Sequence, residues 1–208
     1  MTSTEVSLLH EQRQVARDRI ERAARRVLAD KGISATVEEV AGEAGVSIRT
    51  VFRHYGTRDH MIATALRSQL LHYSETLPRP ADDATLESWL PELVLEVHRV
   101  NAALGRAYWE MMAVGYTLTG ELGDVAVERL AGRTRFVNVV TRGAWRLVGN
   151  RSRPPGWLVD LFAIHLSTFT TRELVQDFGR SIEDVASMSA RVLIAAVRSA
   201  SPTCAIGG

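Results

Sequence analysis

The run from Arg19 to Leu66 constrains the fold more than any other part of the chain. Ile20, Ala23, Ala24, Val27 and Leu28 fall at i, i+3, i+4, i+7 and i+8, so one face of a first helix is apolar. Its other face carries Arg19, Arg22, Arg25 and Arg26 among Asp18 and Glu21. Gly32, after Asp30 and Lys31, suits a C-terminal glycine cap. Thr36 with Glu39 three residues on has the pattern of a capping box. The helix it opens has Val37, Val40, Ala41 and Ala44 as its buried stripe. Gly45 supplies the positive φ of a tight turn, and Ser47 is a good N-cap for a third helix. Val51 and Tyr55, four apart, face inward; Ile48, Arg49, Thr50, Phe52, Arg53 and His54 are left toward solvent or a partner. Thr57 starts a fourth helix that turns Met61, Ile62, Ala65 and Leu66 inward. Two short helices about a glycine turn, the second exposing arginines beside an aromatic ring, have the shape needed to enter a DNA groove.

Ala41, Gly45, Val46, Ser47, Thr50, Phe52, His54, Tyr55 and Arg58 stand in an order and spacing that resembles the DNA-binding domain of the tetracycline-repressor (TetR) family. The resemblance covers about the first third of the chain. It implies a homodimer whose two heads read a palindromic double-stranded operator, with a C-terminal helical domain that binds a small molecule or forms the dimer. It also implies phosphate contacts from Thr36, Ser47, Thr50, Phe52, His54 and Arg58, and base reading by Ile48, Arg49 and Arg53. The chain departs from the common pattern at three of these positions. Phe52 stands where tyrosine is frequent, Arg58 where lysine is usual, and Arg49 where a small residue is common. An arginine at that last position can pair with a guanine edge.

The net charge of +1 splits unevenly: residues 11–72 carry +3 and the rest −2. From Ser47 to Arg58 there are three arginines and no acid, so the third helix is the basic surface. No run of 18 apolar residues is present, which excludes a membrane span by a helix. MTSTEVSLLHEQRQ lacks the charged start and apolar stretch of a signal peptide, so the expected place is the cytoplasm. Cys204 is the only cysteine, so an intrachain disulfide and a thiolate metal cluster are excluded. No phosphate-binding glycine loop, HExxH or GxSxG occurs, and neither an enzyme nor a cofactor is expected.

The remaining segments also read as helices, for an all-α chain of about nine. Residues 77–85, LPRPADDAT, interrupt the pattern, and GNRSRPPG at 149–156 is a loop. Trp157 to Val175 and Ile182 to Arg198 form a final pair. The expected organisation is a flexible tail at 1–14, a helix-turn-helix domain with its linking fourth helix at 15–72, a helical domain at 73–200 and a disordered tail at 201–208. Trp89, Tyr108, Trp109, Met112, Tyr116, Phe136, Trp145, Phe162, His165 and Phe169 are candidates to line an apolar effector cavity; the plain alternative is an ordinary helical core. Leu161, Ile164, Leu166, Val185, Met188, Val192, Leu193 and Ala196 are candidates for a helical dimer interface. The expected function is a ligand-responsive regulator, a repressor in the sense the resemblance carries. The alternatives are a DNA-binding protein blind to ligands, or a ligand-binding helical protein that does not touch DNA.

Overall fold

The computed structural model describes residues 3–201, and for 3–10, 12 and 71–76 the backbone alone. Every regular element among them is helical: α1 (Ser3–Lys31), α2 (Val37–Ala44), α3 (Ile48–Tyr55), α4 (Arg58–Thr76), α5 (Leu86–Ala103), α6 (Arg106–Val114), α7 (Gly120–Leu147), α8 (Gly156–His165), α9 (Thr168–Arg172) and α10 (Ile182–Ala200). The count exceeds the nine expected because the helix foreseen from Trp157 to Val175 breaks into α8 and α9 at Leu166 and Ser167. α1 runs from Ser3, so residues 3–14, expected as a flexible tail, are helical in backbone. Ser201 is buried and accepts a hydrogen bond from Asn150 Nδ2 at 2.9 Å. The rest of the expected tail, 202–208 with Cys204, lies outside the described residues.

The chain forms two compact units. The first comprises residues 1–72 and 104–129. Its core is built from Ile20, Ala24 and Leu28 of α1, Val40 of α2, Val51 of α3, Met61, Ile62 and Leu66 of α4, Met111 of α6 and Val125 of α7. The contiguous domain expected at 73–200 would have included residues 104–129. Those residues join the head because α6 enters against α1: a Cβ on Gly105 would lie 2.2 Å from the Ala29 Cα, an approach only glycine permits. Glu110 of α6 then accepts the Ile33 N–H at 2.7 Å and the Arg106 Nε at 2.6 Å. α4 and α7 are tied within this unit by Arg67, which donates twice to Glu128 at 2.9 and 3.0 Å, and by His60 with Glu121 at 2.7 Å.

The second unit comprises residues 73–103 and 130–208. α5 and α10 pack along each other and enclose Leu90, Leu93, Val97, Leu193 and Val197 with Trp145, Leu158 and Phe162. Trp89 is buried with its Nε1 donating to the Pro78 carbonyl at 3.1 Å. Arg198 clasps Glu87 at 2.7 Å across the α5–α10 pair.

Candidate nucleic-acid interface

Local chemistry sets the two short helices. Thr36 caps α2 in a closed capping box: its Oγ1 accepts the Glu39 N–H at 3.2 Å, and Glu39 Oε2 accepts the Thr36 N–H at 2.9 Å. α2 ends at Gly45, which sits left-handed at φ +63°, and the Val46 N–H returns to the Ala41 carbonyl at 3.0 Å. Ser47 caps α3 by accepting the Thr50 N–H at 3.1 Å, and its hydroxyl also meets the Thr50 hydroxyl at 2.8 Å. α3 then buries Val51 and Tyr55 and leaves Ile48, Arg49, Phe52 and Arg53 exposed. Phe52 is 46% exposed. The chemistry available here is a basic, aromatic ridge on a helix the head holds rigidly. Two paired hydroxyls stand at its start, and the one that accepts within the pair keeps its proton for an outside group.

Two of the expected contact residues behave differently. The Arg58 guanidinium is turned back onto the protein. Its Nε donates to the Ala35 carbonyl at 2.8 Å, its Nη2 to the Ile33 carbonyl, and its Nη1 to Asp59 at 2.9 Å. The turn before α2 leaves carbonyls that need donors, and the arginine fork fills them where it was expected to hold a phosphate. His54 is half-buried with an unpartnered Nε2. Burial first, then the positive charges of Arg53, Arg17 and Arg13, hold its pKa below the ordinary value, so it is neutral at pH 7. Arg13 and Arg17, exposed on α1, therefore stand close enough to α3 to be felt there, and sequence reasoning missed both. Their i, i+4 spacing was the available signal.

The ten cavity candidates divide between the units. Tyr108, Trp109, Met112 and Tyr116 belong to the first, where Arg129 stands 5.9 Å over the Tyr108 ring and Tyr116 is 88% exposed. Trp89, Phe136, Trp145, Phe162, His165 and Phe169 belong to the second; Trp89, Trp145 and Phe162 are core, whereas Phe169 is exposed. Hence the ten do not line one cavity of either unit, because α6 packs on α1. The interface candidates also divide. Leu166, Val185 and Leu193 are buried in their own unit, Leu161 and Ala196 are half-buried, and Ile164, Met188 and Val192 are exposed. Among the described residues no group of three His, Cys, Asp or Glu is placed to hold a metal ion, and no helix is long and apolar enough to cross a membrane.

An all-helical chain whose first unit carries a helix-turn-helix with an exposed basic third helix defines a class, that of helix-turn-helix proteins. Residues 20–65 match the profile of the bacterial regulatory proteins of the tetR family. The chain is 32% identical over 130 residues to the HTH-type transcriptional repressor SCO4008 of Streptomyces coelicolor. That match takes in 62% of this chain and 64% of the relative, short of two thirds of its length. The fold is similar to that of the transcriptional regulator FadR from Bacillus subtilis, solved in complex with stearoyl-CoA. The TM-score is 0.60 at 14% identity, over 85% of this chain and 96% of that one.

Proposed function

We propose that this protein is a transcriptional repressor of the cytoplasm that binds a palindromic operator as a homodimer and is released by a small, largely apolar effector. The observation that carries the reading is α3, which presents Arg49 and Arg53 beside the exposed Phe52 with no acid between Ser47 and Arg58. The repressor that the chain resembles and the acyl-thioester complex of the fold relative support the direction of the regulation and the apolar class of effector. Exposed Ile164 on α8 with Met188 and Val192 on α10 supply an apolar stripe suited to a second copy. Two heads on one twofold axis must place their α3 helices about 34–36 Å apart to enter successive major grooves. An effector in the second unit acts by shifting α4 and with it that spacing.

Selection of bound duplexes from a random pool tests this reading. A twofold-symmetric sequence is expected, bound by two chains. Recovery of no preferred sequence would leave a ligand-binding helical protein that does not touch DNA. A selected site whose occupancy no metabolite alters would leave a DNA-binding protein blind to ligands, whereas release that persists when the heads are crosslinked at fixed spacing would overturn the shift of α4.

A further inference from the structure

α5 carries His98 and Asn101 into the interior of the second unit, and His98 is completely buried. Both reach the break between α8 and α9, beyond which the chain continues into a π-helical turn, Glu173–Asp177. A broken helix frees carbonyls that need donors, and π turns gather at functional sites. Asn101 answers the first need. Its Nδ2 donates to the Leu166 carbonyl at 3.4 Å and the Thr171 hydroxyl at 3.1 Å, and its Oδ1 accepts from the Thr168 hydroxyl at 3.0 Å. Every polar atom of that amide has a use.

His98 is different. Its Nδ1 lies 2.8 Å from the Thr171 hydroxyl, but its Nε2 has no hydrogen bond and no access to solvent. Burial first, then the neighbouring His165, hold its pKa down to about 4, so the ring is neutral at pH 7. The Thr171 hydroxyl is already served, because it donates to the Ser167 carbonyl at 3.1 Å and accepts from Asn101. Capping the broken helix therefore does not require an imidazole at position 98. Buried polar atoms without partners are rare, and each calls for an explanation.

We propose that His98 Nε2 is the polar anchor of a ligand site in the second unit, and that it takes a neutral, largely apolar molecule by a hydroxyl-type group. The proposal rests on reading the second unit as the effector-binding part of the regulator. The ligand chemistry follows from proton counting. The single proton of Thr171 goes either to Ser167 or to His98 Nδ1, which makes Nε2 an acceptor in the first case and a donor in the second. A hydroxyl suits either tautomer. A carboxylate suits one, and brings a charge that the neutral, completely buried ring cannot balance.

The test uses the full chain with 15N-labelled histidine and two matched probe sets: phenol, toluene and benzoate; cyclohexanol, methylcyclohexane and cyclohexanecarboxylate. Expected is a shift of both His98 nitrogen resonances by at least one alcohol, bound about tenfold tighter than its hydrocarbon and its acid. That preference disappears in His98→Phe and in His98→Leu, whichever folds. An alcohol no tighter than its hydrocarbon, a preference that survives both variants, or His98 resonances that no probe moves would overturn the site. A selected duplex, present in parallel, separates this from the regulator reading. An alcohol that moves His98 while the duplex stays bound keeps the site and removes its role as effector anchor. Release of the duplex by another compound with His98 unmoved does the reverse.

Discussion

The two units each hold a polar arrangement at a helix junction, and they close it differently. In the first, Glu110 and Arg58 grip the Ile33–Ala35 turn, one taking its N–H and the other its carbonyls, and the charge of each meets a neighbour, Arg106 or Asp59. In the second, Asn101 and Thr168 close the α8–α9 break in the same way, but His98 Nε2 is left over. A polar group whose atoms are all matched is sufficiently explained by the fold it holds. An interior atom left over costs about 1–3 kcal/mol and needs a further reason. That difference separates the structural junction from the candidate binding site.

The largest expected effect tests the left-over group through pH. The pKa of His98 is lowered in the folded state from 6.5 to about 4, so the unfolded chain binds the proton more readily. Stability is therefore full above pH 6.5 and falls as the pH drops toward 4, by about 3 kcal/mol at 1.36 kcal/mol per unit. His165, whose pKa is lowered by burial, adds to the loss with the same sign. Urea midpoints measured from pH 7 to pH 4 should show this slope, and His98→Phe should remove most of it. A slope unchanged in that variant would place the proton uptake elsewhere and erase the contrast between the units.

The matched junction gives the next effect. Arg58→Met strands the Ile33 and Ala35 carbonyls at a half-exposed site, and should lower stability by about 2 kcal/mol. The same variant should leave the dependence of DNA affinity on salt unchanged. A phosphate contact would instead lower the slope of log affinity against log salt by about 0.9 for each head. A reduced slope with unchanged stability would return Arg58 to the role the family resemblance implies.

How much of this was legible in the sequence follows the range of the forces involved. The capping box of Thr36 and Glu39, the Gly45 turn and the Ser47 cap are local, set within four residues, and the sequence pattern states them directly. Arg58 is of another kind: its charge is read directly from the sequence, but the carbonyls it holds lie 23 and 25 residues back in the chain. The same is true of α6, whose aromatic residues looked like the wall of a distant cavity until Gly105 and Glu110 tied them to α1 and Ile33. His98 meets Thr171, 73 residues on and beyond the stop of α8, so no local pattern names its partner. Leu166 and Ser167 contain no glycine or proline to mark that stop, although Ser167 as an N-cap was a readable sign.

On the exposed surface an unmatched charge costs little, since water solvates it, so Arg49 is informative by position alone. It stands at the second residue of α3, where the resemblance places base reading. Arg49→Ala is expected to lose about 1–2 kcal/mol per head on the preferred site and much less on a scrambled duplex, because a bidentate guanine contact discriminates where a phosphate contact does not. Competition binding with both duplexes measures the difference. Equal losses would make Arg49 a phosphate contact and leave the sequence preference to Arg53 and Ile48.

Arg13 and Arg17 should give the smallest effect, and one of the opposite kind. They precede the matched family segment, which starts at residue 20, and they stand on α1 near enough to His54 to lower its pKa. A helix that brings two cations beside α3 widens the positive surface without offering a side chain to the groove floor. The double variant Arg13→Gln, Arg17→Gln should weaken every duplex alike, by a few-fold at moderate salt, and should reduce the salt slope by up to about 1.8 per head. The sequence selected from a random pool should not change. A changed sequence would mean that α1 reaches a base edge. An unchanged slope would mean that these arginines act only on the protonation of His54.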